Sequence, residues 1–278
     1  MKVLVQALGG EVRAAAAHDP LGRPIEASFA LVRDRTTAIV EVAAASGLGL
    51  VESVERDPEK ASTAGTGEVI AAAIQAGAGR IWVAAGGSAT TEGGRGAIDT
   101  LESAGGLRGA RLEVLCDTSV PFERAAEVFA PQKGASPEQV ERLTERLIAL
   151  AGALPRDPRG RAMSGAAGGL SGGLWAAFGA RLVPGAAFVL GLLGFDRRLE
   201  HADAALTGEG RLDSQSLEGK LTGEVARRCR GVRVPAHAIA GEVALGAHEL
   251  RRAGFASAAT AETAEAITDA AELLVTTL

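Results

Sequence analysis

Apolar and polar positions divide the chain into two regimes. Alternating apolar residues over 12–18, 25–32 and 37–42 predict three short strands. Asp19-Pro-Leu-Gly-Arg-Pro24 supplies turn chemistry between the first two, and Arg33-Asp34-Arg35 separates the second from the third. Together they predict an antiparallel meander, followed by a short helix over 43–46 that stops at Gly47. From residue 64 the period changes. Helices are predicted over 68–75 (Thr66 as N-cap), 95–103, 137–151 (Ser136 as N-cap) and 219–229. Buried strands are predicted over 80–85, 112–116, 202–207 and 234–240, with weaker helix–strand alternation to the C-terminus.

Strands alternating with helices predict a parallel α/β sheet, whose ligands sit at the carboxyl ends of the strands. Four such ends carry polar or flexible residues: the loop 86–94, Asp117, the segment 208–213, and Gly241-Glu242. The expected organisation is a β-rich part over 1–63, belonging to a smaller domain, and a parallel α/β part over 64–278, with domains discontinuous in sequence.

Composition narrows the function. Glycine makes up 37 of 278 residues, about 13%, against a usual ~7%, and it clusters in these loops. Aromatics are 3% of the chain and tyrosine is absent, so Ala, Leu and Val must build the core. A net charge of −5 argues against a nucleic-acid surface. Cys116 and Cys229 imply neither a disulfide framework nor a metal knuckle. The N-terminus lacks the shape of a signal peptide, and the longest apolar stretch, 170–189, is broken by Gly172, Gly173, Arg181 and Pro184. A cytoplasmic protein, off the membrane, monomeric or homodimeric, is expected.

Two segments carry most of the candidate chemistry. In the loop 86–94, Gly86 and Gly87 precede Ser88, Thr90 and Thr91 ahead of a helix, a pattern that suits an anion cradle or a plain tight turn. The segment 207–220 packs Glu209, Arg211, Asp213, Ser214 and Lys220 behind an apolar strand. A carboxylate there can hold Mg²⁺ or take a proton, and a lysine can meet a phosphate. Asp117 is a candidate metal or substrate ligand, or a turn residue. Lys133, in Ala130-Pro-Gln-Lys-Gly-Ala-Ser136, fits an ordinary loop, and the small-residue run 164–173 fits either close backbone approach or flexibility. The four histidines have no ligand spacing.

In order along the chain, these segments resemble the bacterial type I glycerate kinase family. The resemblance rests on Asp19-Pro-Leu-Gly-Arg-Pro24, Glu41-Val-Ala-Ala-Ala-Ser-Gly47, Gly65-Thr-Gly-Glu68, Gly86-Gly-Ser-Ala-Thr90, Cys116-Asp117, Pro131-Gln-Lys-Gly-Ala135, Gly165-Ala-Ala-Gly-Gly169 and the segment 207–220. It implies a two-domain α/β kinase fold, one domain a parallel Rossmann- or flavodoxin-like sheet and the other a smaller mixed α/β domain containing the meander. It also implies ATP-dependent phosphorylation of D-glycerate, to 2-phosphoglycerate rather than 3-phosphoglycerate, with Mg²⁺. Under this resemblance the loop from Gly86 to Thr90 would meet phosphate or substrate, and Arg211, Asp213, Ser214 and Lys220 would line the cleft. From the chemistry of the side chains, Asp213, Lys220 and Arg211 are the expected catalytic residues. Gly86, Gly87, Ser88, Thr90 and Ser214 are expected to bind substrate or phosphate, and Asp117 and Glu209 the metal.

Two departures from the family pattern stand out. Thr90-Thr-Glu-Gly-Gly94 replaces the usual Thr-Asn-Asp-Gly-Gly, so Glu92 keeps the charge but reaches farther. Residues 1–9 align with the helix that follows the family's opening acidic Gly-rich motif. That motif is unmatched here, and a catalytically impaired ligand-binding relative is the alternative reading. A nucleotide-dependent dehydrogenase is disfavoured by the lack of Gly-x-Gly-x-x-Gly after a strand.

Overall fold

The computed structural model describes residues 1–33, 35–217 and 219–276. Asp34 of the second expected turn, Glu218 of the polar segment, Thr277 and Leu278 lie outside the described residues. The chain divides into two compact units, residues 1–185 and 186–278.

The first unit begins with α1 (Lys2–Leu8), then β1 (Gly10–His18), β2 (Pro24–Val32) and β3 (Thr37–Glu41). The three strands form the expected antiparallel meander, in register from Gly10↔Val32 to His18↔Pro24 and from Phe29↔Val40 to Val32↔Thr37. Asp19 makes the first turn. Its Oδ1 accepts the backbone N–H groups of Leu21 and Arg23, at 2.8 and 2.9 Å, and its Oδ2 meets Arg23 Nε.

After α2 (Ala43–Ser46) helices link parallel strands: α3 (Ala64–Gln75), β4 (Arg80–Ala84), α4 (Arg95–Ser103), β5 (Arg111–Cys116), α5 (Ala125–Phe129), α6 (Pro137–Ala153), α7 (Leu170–Phe178) and β6 (Arg181–Pro184). The six strands lie in sequence order in one sheet, with β3 through β6 parallel. Alternate strand residues on one face, among them Phe29, Leu31, Val40, Val83 and Val114, share a core with Val69 and Ile70 of α3, Leu101 of α4 and Leu170 and Leu174 of α7. α6 presents Leu143, Leu147 and Ala151, spaced by four, to Phe122, Ala125 and Ala126. Its start is sealed by a capping box: Gln139 N–H donates to Ser136 Oγ, and Ser136 N–H donates to Gln139 Oε1.

The second unit runs through α8 (Gly185–Leu192), α9 (Phe195–Leu199), β7 (Ala205–Leu212), α10 (Leu221–Val232), β8 (Ala236–Val243), α11 (Ala247–Ala253), β9 (Phe255–Thr260) and α12 (Ala264–Thr276). Its three strands are parallel, in the order β7-β8-β9, over a core that includes Leu212, Val225, Cys229, Ala238 and Phe255.

Two α/β sheets with an antiparallel segment match the expected fold class. A boundary at residue 63 does not coincide with the observed division, because β3 pairs directly with β4 from Thr37↔Arg80 to Glu41↔Ala84 and ties 1–63 into the larger sheet. Thr66 is not an N-cap. α3 starts two residues earlier, at Ala64, and the buried Thr66 hydroxyl instead bonds Ser46 Oγ at 2.7 Å. The small-residue run 164–173 is turn over 164–169 and helix over 170–173, where α7 starts.

Candidate active site

The carboxyl ends of β4 and β5 carry the loop 85–88 and Asp117. The loop is pinned to the end of α2 and the segment after it by two backbone bonds, Leu48 N–H to Gly87 O at 2.8 Å and Ala89 N–H to Ser46 O at 2.9 Å. Gly87 holds φ 71°, a conformation a side chain would strain. On the other side, Gly93 N–H donates to Gly168 O at 3.0 Å. Gly168 approaches so closely that a Cβ on it would lie 2.0 Å from Thr90 O. The small residues of 164–173 therefore serve backbone-to-backbone contact with the loop.

These loops enclose a pocket of about 220 Å³, lined among others by Gly86, Gly87, Ser88, Asp117, Gln132 and Lys133. Four of the expected site residues, Gly86, Gly87, Ser88 and Asp117, thus come together. Thr90 is fully buried beside them and contributes its carbonyl. The hydroxyls of Thr90 and Thr91 are buried with no partner among the described residues.

Lys133 is the residue whose weight the sequence understated. It ends a single 3₁₀ turn, Pro131–Lys133, which Gly134 terminates at φ 97°. The side chain is 3% exposed. Its Nζ donates to Ser88 Oγ at 3.1 Å and to Thr90 O at 2.5 Å, and it forms no ion pair among the described residues. Burial without a carboxylate pushes its pKa down to about 7. A lone lysine in a Pro-Gln-Lys-Gly turn reads as a loop residue, and nothing local marks it as buried.

Glu92, the departure in the glycine loop, turns away from ligand chemistry. Its carboxylate accepts the N–H groups of Thr63, at 2.7 Å, and Gly96, at 3.0 Å, and also meets the Thr63 hydroxyl. It closes the starts of α3 and α4.

The remaining expected residues lie in the second unit. The strand is later than expected: β7 runs to Leu212 and pairs with β8 as far as Leu212↔Val243, so Glu209 and Arg211 stand on the strand rather than in a loop. Glycine at 208 and 210 disguised this extension, because Gly-Glu-Gly-Arg has the composition of a loop. Arg211 bridges Glu242, at 3.2 Å, and Asp213, at 3.5 Å. Asp213 and Ser216 exchange bonds: Asp213 N–H to Ser216 Oγ at 3.1 Å, and Ser216 N–H to Asp213 Oδ1 at 3.3 Å. Ser214 is exposed on the turn that follows. Lys220 is half-buried immediately before α10, on the N-cap residue, and makes no ion pair with Asp213 among the described residues. Glu209 borders a groove of about 760 Å³ with Leu206, Gly208, Ile239 and Ile267, and its Oε1 is buried without a partner among the described residues.

A divalent cation finds no cluster of three or more acidic, His or Cys side chains among the described residues. Mg²⁺ needs less, since it is commonly held by one or two carboxylates together with substrate phosphates. Asp117, exposed and outside every ion pair recorded among the described residues, and Glu209, with its orphaned oxygen, fit that requirement individually. No helix among the described residues is long and apolar enough to cross a membrane.

Parallel strands with glycine loops, hydroxyls, a carboxylate and a buried lysine at their carboxyl ends have the layout of an α/β enzyme site. The glycerate kinase family model matches residues 1–105 and 97–278. Glycerate kinase of Bacillus subtilis is 37% identical, covering 86% of this chain and 72% of that protein. Glycerate 2-kinase of Escherichia coli K12 is 33% identical, covering 87% and 73%. A crystal structure provisionally assigned as glycerate kinase 2 of Salmonella typhimurium LT2 superposes with a TM-score of 0.75 at 34% identity, covering 98% of this chain and 81% of that one. The chain belongs to the glycerate kinase family, phosphotransferases with an alcohol group as acceptor.

Proposed function

We propose that the protein transfers the γ-phosphoryl group of ATP to D-glycerate in the cytoplasm, forming 2-phosphoglycerate. The observation that carries this reading is the meeting of Gly86, Gly87, Ser88 and Asp117 in one small pocket at the strand ends of a glycerate kinase family chain. The name of the Escherichia coli relative, a glycerate 2-kinase, supports the position of transfer.

The acceptor hydroxyl oxygen attacks the γ-phosphorus, the bond from that phosphorus to the departing ADP oxygen breaks, and the hydroxyl proton leaves. Asp213 orients this hydroxyl and accepts its proton. In the second unit Arg211 and Lys220 offset charge on phosphate oxygens and Ser214 contributes a hydroxyl donor. In the first unit the loop 86–90 contributes N–H and hydroxyl donors. Asp117 of the first unit and Glu209 of the second are each a carboxylate that would suit Mg²⁺. When bound, the cation neutralises charge on the phosphates.

The test is ADP release in a coupled assay, dependent on both D-glycerate and Mg²⁺, with ³¹P NMR of the product. Release that ignores D-glycerate removes the substrate. A 3-phospho product removes the regiochemistry alone.

A further inference from the structure

Burying an ammonium group away from water with no counter-ion is unfavourable, and a methionine would fill the same space without that cost. Lys133 nevertheless occupies such a position among the described residues, at the wall of the pocket at the ends of β4 and β5. An ammonium has three N–H donors, and Ser88 Oγ and Thr90 O account for two of them. At about 220 Å³ the pocket falls below the roughly 300–1,000 Å³ typical of drug-sized ligands, so it suits a small acid rather than a nucleotide.

We propose that Lys133 is the specificity-determining residue for an acidic acceptor, its third donor meeting the carboxylate of the hydroxy acid in this pocket. The assignment rests on the glycerate kinase reading and deepens it. Other charged groups nearby are few. Asp117 lines the same pocket, while Arg56 and Asp57 line the adjoining small cavity, where Asp57 is held by Lys60 at 2.9 Å. With its pKa near 7 in the free protein, Lys133 is largely neutral at pH 8. An arriving carboxylate stabilises the charged form, so binding takes up close to one proton.

Calorimetric titration at pH 8, in buffers of different ionisation enthalpy, measures this uptake directly. The probes are D-glycerate, its neutral amide D-glyceramide, and inorganic phosphate. The wild type is expected to bind D-glycerate at least tenfold more tightly than the amide, with proton uptake. Lys133→Met, with its melting temperature checked in parallel, is expected to bind D-glycerate about 10- to 100-fold more weakly and to lose both the preference and the uptake. Three results each overturn the proposal: no uptake by the wild type with D-glycerate, unchanged preference in Lys133→Met, or uptake with phosphate but not with the acid. Wild-type binding to neither acid nor amide also overturns it. ADP release is read separately: absent turnover with intact Lys133-dependent binding rejects the kinase reading and leaves the carboxylate site standing.

Discussion

Thr63 and Glu92 cap two neighbouring helices for each other. Glu92 accepts the Thr63 backbone N–H at 2.7 Å, at the start of α3, while the Thr63 hydroxyl donates to Glu92 and accepts the Ala97 N–H of α4 at 3.0 Å. A negative carboxylate between two helix N-termini is well placed. The longer reach of Glu over Asp lets one oxygen serve both Thr63 and Gly96.

Burial is the largest influence on Glu92 and raises its pKa above the ordinary carboxylate value, against the pull of the bonds from Thr63 and Gly96. Its folded pKa therefore exceeds its unfolded one. Its contribution to stability is full below the ordinary carboxylate range and declines as pH rises through the folded value. Glu92→Gln imitates the protonated acid and should lack that decline. The stability difference, variant minus wild type, is expected to become more positive from pH 4 to pH 7 in urea unfolding. Parallel curves for the two proteins would refute the assignment.

Gly168→Ala tests the backbone contact behind the pocket. The position holds φ 65°, and the new Cβ would lie 2.0 Å from Thr90 O, the same carbonyl that receives Lys133 Nζ. Left-handed strain and the overlap together should cost about 2–5 kcal/mol. A denaturation midpoint equal to wild type would mean that the two loops separate without penalty.

Elements whose signal is local were legible in the sequence. The helix 95–103 was placed correctly, and the start of α6 was read from Ser136 and Pro137, because cap and apolar stripe sit side by side in the chain. The strand at 205–212 was misplaced because its second half is Gly-Glu-Gly-Arg, which resembles a loop until β8 pairs with it. Lys133 was undervalued for a different reason. Its burial comes from Ser88 and Thr90, more than 40 residues away in sequence, and no local pattern reports a contact of that range.

Glu59 anchors the segment after α2 to α6. Arg142 donates to it through Nε and Nη2, at 2.9 and 3.0 Å, and Gln139 through Nε2 at 3.1 Å. The bond from Arg142, then that from Gln139, brings its pKa down to about 2. A depressed carboxylate stabilises the fold above the ordinary carboxylate range, and loses that contribution as pH falls through the folded value. Glu59→Gln should therefore be less stable than wild type at pH 7, with the gap closing as pH falls toward 2. Thermal melts across that range measure it. A gap independent of pH would show that packing, not charge, fixes the segment.

Asp213 and Lys220 carry the test of the chemistry assigned to the second unit. The ion pair of Asp213 with Arg211 joins a half-buried carboxylate to an exposed guanidinium at 3.5 Å, so its loss should cost about 1 kcal/mol. Asparagine keeps the shape and the acceptor oxygen for Ser216 N–H while removing the charge. Asp213→Asn should accordingly melt within a few degrees of wild type, while kcat with D-glycerate falls roughly 10²–10⁴-fold, as expected for a lost general base. Lys220→Met keeps the aliphatic stem next to α10 and should raise the KM for ATP or lower kcat, with little change in melting temperature. A structural role for either residue predicts the reverse: a lower melting temperature with normal kinetics. Near-normal kcat/KM in Asp213→Asn would move the proton acceptor elsewhere, and Asp117, the exposed carboxylate on the pocket that holds Lys133, would be the next residue to replace.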